Sequence, residues 1–309
     1  MAKCLFETPI ALIVFNRPDK VEHLLKVIRQ IKPSKLFIIA DGPRPDRPDD
    51  LRKCEMTRAV FEKIDWPCEV FKRYAAVNLG CGLNPAAGIT WVFSQVEEAI
   101  ILEDDCIPDL SFFRFCQELL ERYRSDQRVM HIAGSNYCTR DEQVANSYSF
   151  SRYTLSWGWA TWRRAWQHYD FDLKLWEQLR ETSFLQDVLD GDKHDIRNWT
   201  KIFQTVYENH QDCWDYQWKF TCWHQGGLGV LPRVNLISNI GYDSEASHTT
   251  LENQPYINLS SEAMEFPLKH PIAITRNFHA DSTIQAALFD WHPKFLDRVY
   301  RKFRKTLKF

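Results

Sequence analysis

The chain has 309 residues, of which 44% are hydrophobic and 26% charged, and its formal net charge is −2. This composition excludes a disordered tail or a fibrous repeat and supplies enough apolar material for one large core or two small ones. The near-neutral charge gives no electrostatic reason to bind nucleic acid, and the longest apolar run near the start, Pro9 to Phe15, falls far short of the roughly eighteen residues that span a bilayer.

Residues 10–15 (IALIVF) form a continuous apolar run, the pattern of a strand buried on both faces of a parallel sheet. A helix follows, with Asp19 placed to cap it and Val21, Leu24, Leu25 and Ile28 at helical spacing; Lys35 to Ala40 (KLFIIA) then reads as a second strand, completing a βαβ unit. The pattern continues through a Pro-rich loop at 41–50, a helix through Val60, a strand near 68–73 and a helix over about 86–99. The strand Ala99–Leu102 comes next, running straight into Glu103-Asp104-Asp105, and a helix over 110–124 follows. The fold class is α/β, with a mostly parallel central sheet flanked by helices.

From about residue 157 the texture changes to a Trp-rich half that is expected to be helical. Nine of the twelve tryptophans fall between Trp157 and Trp223. Trp159, Trp162 and Trp166, and again Trp214 and Trp218, sit three or four apart, which on a helix places each set on one face. Gly226, Gly227 and Gly229 mark a turn into a strand LGVL. With no internal repeat and no flexible linker, the second half is expected to pack on the first. The tail from Lys294 to Phe309 carries seven Lys or Arg and one acid, a net +6 that leaves −8 on the rest of the chain. Leu296, Val299, Tyr300, Phe303 and Leu307 give it an apolar stripe, so it reads as a basic amphipathic helix suited either to an anionic membrane surface or to packing on the domain.

Nine cysteines without a CxxC pair suggest reduced thiols rather than a disulfide framework or a zinc ribbon. The first residues lack the long apolar stretch and small-residue cleavage site of a secretory leader, so the expected location is the cytoplasm, with membrane attachment through the tail as an extension of it.

Parallel sheets bind ligands beyond the carboxyl ends of their strands, which directs attention to the loops beginning at Asn16, Asp41 and Glu103. Three successive carboxylates repel one another unless a cation or donor groups compensate, and a hard divalent ion with diphosphate oxygens is the natural partner of such a turn. Neither a GxGxxG nor a GxxxxGK[ST] loop is present, so phosphates would be held by metal and side chains, with Arg17 a contributor.

In order along the chain, PIALIVFNRP, IIADG at 38–42, IILEDDCIPDLSFFRF at 101–115, YTLSWGWATWRRAW at 153–166, WDYQW at 214–218 and LISNIGYDSEASHT at 236–249 resemble a GT-A-fold glycosyltransferase. The resemblance is to the N-acetylglucosaminyltransferase I family and bacterial nucleotide-diphospho-sugar transferases, and it covers roughly residues 9–250. It implies a catalytic domain over 1–250, an extension at 251–290 packed on it and the basic helix at 291–309. It implies Asp41 on the uracil of a UDP-sugar, Arg17 beside the nucleotide, Glu103 on donor-sugar hydroxyls, Asp104 on the ribose and Asp105 on Mn²⁺ or Mg²⁺. Asp215 would be the base, Trp157 and Trp214 would flank the sugar, and the loop Gly241 to His248 would close over the diphosphate, with His248 near phosphate or metal. The family's nucleotide histidine has no counterpart here, and Asn78 stands as its substitute. The acceptor implied is a glycan or lipid-linked glycan.

Two other readings compete. A sugar-phosphate nucleotidyltransferase would carry a glycine-rich loop after the first strand, where this chain has NRPDK; a non-catalytic carbohydrate-binding or scaffold protein would not need both Glu103-Asp104-Asp105 and Asp215.

Overall fold

The computed structural model describes residues 5–137, 146–208, 212–241 and 259–289. Within them the strands are β1 (Ile10–Val14), β2 (Lys35–Ala40), β3 (Glu69–Tyr74), β4 (Glu98–Glu103), β5 (Cys106–Pro108), β6 (Val129–Ala133), β7 (Tyr148–Ser151), β8 (Trp159–Trp162), β9 (Leu228–Pro232) and β10 (Ile237–Asn239). The helices are α1 (Pro18–Ile31), α2 (Asp50–Ala59), α3 (Gly80–Gln95), α4 (Leu110–Arg122), the short α5 (Arg163–Trp166), α6 (Trp176–Leu179) and α7 (Phe184–Val188), then α8 (Lys193–Tyr207), α9 (Asp215–His224) and α10 (Phe278–Ile284). None of the described helices is long and apolar enough to cross a membrane.

Eight strands form one sheet in the order β3-β2-β1-β4-β8-β6-β9-β7, and β5 pairs with β10 separately. The first βαβ unit is as the sequence predicts, with β1 parallel to β2 from Ile10 opposite Leu36 to Val14 opposite Ala40. Its strands are apolar throughout because helices cover both faces: Ile10, Leu12 and Val14 join one core with α1 and α4, whereas Ala11 and Ile13 join a second core with α3 and α9. Asp19 does not cap α1. Arg17 occupies the N-cap position, and Pro18, with its φ preset for a helix, opens the first turn that contains Asp19.

The sheet is mixed rather than simply parallel. β8 runs antiparallel to both neighbours, β4 and β6, and β7 is antiparallel to β9. Two of the expected helical tryptophans therefore belong to a strand. Trp159 and Trp162 are three apart, which in an extended chain points them to opposite faces, and they lie in the two opposite cores. Trp214 and Trp218 do share a helix face, both entering the second core beside Trp159 and Trp166. A third core is built from Trp176, Trp199, Phe203, Phe220 and Trp223 with Ile284 and Phe289.

The described part of the C-terminal extension, 259–289, lies along the sheet's far side. Its backbone bonds Asn235, Ser147 and Phe150, and Asp281 accepts from Ser151 Oγ at 2.6 Å while pairing with Arg276 at 3.1 Å. The seven described cysteines, at 54, 68, 81, 106, 116, 213 and 222, are all free thiols. His248 and the basic tail 294–309 lie outside the described residues.

Candidate functional site at the carboxyl edge of the sheet

The ends of β1, β2 and β4 and the start of β8 meet at one edge. β1 lies between β2 and β4, and Ile13 stands opposite Glu103, so the segments Phe15–Arg17, Asp41–Gly42 and Glu103–Asp105 emerge side by side. Arg17, freed from helix geometry at the N-cap, turns its guanidinium onto the acidic turn. One amino group pairs with Asp104 and the other with Asp105 Oδ2 at 3.1 Å. Asp104 is buried and also accepts from Phe15 N at 3.4 Å. Burial alone would lower the Arg17 pKa, but the two carboxylates outweigh it and hold the guanidinium above its ordinary value.

Glu103 is different. Among the described residues its half-buried carboxylate has no hydrogen-bond or ion-pair partner. Burial, then the charges of Asp105, Asp104 and Asp215, push its pKa up to about 8. Burial also raises Asp104, with Arg17 opposing it. Asp215, the first residue of α9, lies close enough for its charge to act on Glu103, and it too makes no side-chain hydrogen bond among the described residues.

Asp105 is tied to the chain's later loop. Its carbonyl accepts from Ile240 N at 2.9 Å, and Gly241 approaches so closely that a Cβ there would strike the Asp105 carboxylate and sit 2.9 Å from Asn239 Oδ1. Gly241 thus sits directly against the acidic turn.

Asp41 and Asn78 are also brought together, in a self-contained arrangement. Asp41 Oδ1 accepts from Gly42 N and Leu79 N, both at 2.8 Å, and Oδ2 from Asn78 Nδ2 at 2.9 Å and Gly80 N at 3.1 Å. Burial raises the Asp41 pKa and these backbone donors pull against it. The next two amides, Cys81 and Gly82, donate to Asp212 at 3.0 and 2.7 Å. Two carboxylates from distant parts of the chain therefore satisfy the amides around the start of α3, where a helix leaves donors unpaired. Asp212 carries no motif in the sequence; the close-packed Gly80-Cys81-Gly82 is the signal that another group approaches there.

Of the two tryptophans expected to border a sugar, Trp157 stands at the edge, half-buried, with Tyr137 edge-on at 5.3 Å. The following Gly158, at φ +59°, brings it against Leu102 and Ile237, where a Cβ would lie 3.2 Å from Leu102 Cδ2. Trp214 is corrected to a core residue. It is 5% exposed, stacks on Trp159 at 5.3 Å and 20°, and its carbonyl accepts from Tyr169. Tyr137 was not foreseen, because it follows a short strand with no motif around it.

The edge offers hard oxygen donors, which fit Mg²⁺ or Mn²⁺ better than a soft ion. Asp105 is the carboxylate nearest the entering loop, while both Asp104 oxygens are already engaged. Elsewhere Asp192, His194 and Asp195, at the start of α8, bring ligand atoms within 4.8 Å and could hold a metal ion. Asp192 there caps α8 through His194 N and Asp195 N, each at 2.9 Å, and Asp195 accepts from Gln285 at 2.8 Å.

No protein-family model matches the chain, and no curated protein matches its sequence. Among solved structures, S. aureus TarS 1-349 is similar over 53% of this chain and 49% of that chain, with 12% identity and a TM-score of 0.36. The match thus spans about half of TarS 1-349 and is too remote to bear on fold or function.

Proposed function

We propose that the chain is a metal-dependent glycosyltransferase that moves a sugar from a UDP-sugar to a hydroxyl of a glycan or lipid-linked glycan with inversion. The observation that carries the reading is the Glu103 carboxylate, which, like that of the nearby Asp215, has no hydrogen-bond or ion-pair partner among the described residues at the acidic edge. In this reading Asp105, with diphosphate oxygens, holds Mg²⁺ or Mn²⁺, which when bound neutralises charge on the leaving diphosphate. Glu103 accepts hydrogen bonds from the donor sugar, and Arg17 and Asp104 line the ribose and phosphate side. Asp41 and Asn78 shape the loop against which the base rests, and Trp157 with Tyr137 offers flat apolar surface to a sugar ring. Asp215 takes the proton of the acceptor hydroxyl as its oxygen bonds the anomeric carbon and the bond to the diphosphate breaks; a single base on the face opposite the leaving group gives inversion.

The test is Mn²⁺-dependent release of UDP from a panel of UDP-sugars. Asp215→Asn should lower turnover by about 10²–10⁴-fold with donor binding retained, the usual worth of a general base. Turnover above about a tenth of wild type would remove Asp215 from that role.

One observation favours a binding protein without metal chemistry: Arg17 already compensates Asp104 and Asp105. Thermal stabilisation by a glycan with no response to UDP-sugar and Mn²⁺ would select that reading.

A further inference from the structure

Among the described residues the Asp215 side chain makes no hydrogen bond, so its position is set by its place at the start of α9 and by the turn before it. That turn is fastened at three successive residues. Asp212 accepts from Cys81 N at 3.0 Å and Gly82 N at 2.7 Å, and its carbonyl accepts from Cys81 Sγ at 3.0 Å. Cys213 O accepts from Gln217 Nε2 at 2.9 Å. Trp214 O accepts from Tyr169 Oη at 3.1 Å while its ring stacks on Trp159. The α3 attachment is the one made by a charged group, and it is close-packed from both sides: a Cβ on Gly82 would come within 2.6 Å of Asp212 Oδ1 and 2.9 Å of Cys213 O.

We infer that Asp212 is a positioning residue, which clamps the turn 212–214 to the amino terminus of α3 and so fixes the Asp215 carboxylate across the edge from Glu103. The inference rests on the reading of Asp215 as the base. Mere capping of α3 would need only the bonds to Cys81 N and Gly82 N. The clamp adds a third bond in the same direction, from Cys81 Sγ to the Asp212 carbonyl, which ties the backbone of the turn as well as its side chain.

The experiment pairs hydrogen–deuterium exchange with donor kinetics on the full chain, using Asp212→Ala, Asp212→Asn and Gly82→Ala. In Asp212→Ala, exchange should rise about 10-fold or more both at Cys81 and Gly82 and at residues 213–218, the loss of charged hydrogen bonds at a helix start. Turnover in Mn²⁺ and UDP-sugar should fall about 10-fold or more while donor KM moves less than about threefold, because a displaced base leaves donor binding intact. Asp212→Asn keeps one acceptor oxygen and should restore most of both. Gly82→Ala, which presses on the same turn from α3, should reproduce the signature with Asp212 present. Faster exchange confined to 80–82, or an unchanged kcat in Asp212→Ala, would overturn the clamp. If the wild-type chain releases no UDP from any donor, the transfer reading fails by itself, and exchange at 213–218 still decides whether the clamp exists.

Discussion

Arg17 is the only side chain seen paired with both Asp104 and Asp105 among the described residues, and replacing it with the apolar Met isolates what that compensation is worth. The Arg17 side chain is 17% exposed, Asp104 2% and Asp105 13%, so solvent screens the group little. Removing one partner from a pairing this enclosed leaves uncompensated carboxylates and typically costs about 3–5 kcal/mol. For a chain of this size that corresponds to a melting temperature lower by roughly 5–8 °C in metal-free buffer at neutral pH. Arg17→Lys should recover part of the loss, since an ammonium is a point charge and does not fork between two carboxylates. The loss should also shrink when Mn²⁺ is added, because a cation at Asp105 supplies charge that Arg17 no longer does. Differential scanning calorimetry of wild type and both variants, with and without millimolar Mn²⁺, measures all three. If Arg17→Met melts within a degree of wild type without metal, the carboxylates are not held by Arg17. An Mn²⁺-independent deficit would show that no cation enters beside them.

Acid should destabilise the fold through His131, which is fully buried, donates to Leu155 O at 3.1 Å and accepts from Trp218 Nε1 at 3.2 Å. Burial first, with Lys219 adding to it, depresses its pKa to about 3 from an ordinary 6.5. The unfolded chain therefore takes up a proton that the folded chain refuses. Stability from this group is complete above pH 6.5 and is lost as pH falls toward 3, by about 2 kcal/mol at pH 5; urea unfolding of wild type and His131→Gln across that window should show the dependence flattened in the variant. Gly241→Ala should weaken Mn²⁺ binding about tenfold by calorimetry, as displaced support of a ligand does, with the metal-free melting temperature little changed. An unchanged affinity would detach the 241 loop from Asp105. Trp214→Phe should cost about 1–2 kcal/mol of stability as a core change and leave UDP affinity alone; lost UDP affinity at unchanged stability would return Trp214 to the site.

The acidic edge is readable because strands buried on both faces write long apolar runs, and the residues just past them, Arg17, Asp41 and Glu103–Asp105, are then located by chain order alone. Arg17 and the acidic turn also meet, a pairing the sequence reading, which set Arg17 on phosphate, does not contain. The Trp-rich half was harder. A spacing of three residues reads as one helix face, yet in WATW it belongs to a strand with Trp159 and Trp162 buried on opposite sides, where aromatics are favoured by packing rather than by period. For Trp214 the spacing with Trp218 does mark a helix face, and only the tertiary partner, here Trp159, shows that the space beside it is filled. Asp212 and Tyr137 left no local trace. Their partners are 131 residues away for Asp212 and 20 for Tyr137, in Cys81 and Trp157, and no periodicity reports a contact across that distance.

The reversed direction of β8 bears on how this edge could change over time. β1, β2 and β4 leave the sheet at the acidic end, and β1 and β4 pass within a few residues into α1 and α4, so any change in those exits must respect a crossover helix. β8 instead arrives there, through Trp157 and Gly158, from the buried segment 152–155, where Arg152 O accepts from Trp223 Nε1 of α9 at 2.7 Å and Leu155 O from His131. A change of length ahead of Trp157 would therefore disturb the third core, where Tyr153 and Leu155 are packed, before it reached the strands that carry the carboxylates. The two sides of the acidic edge are thus held in different ways, one by crossover helices and the other by a buried approach.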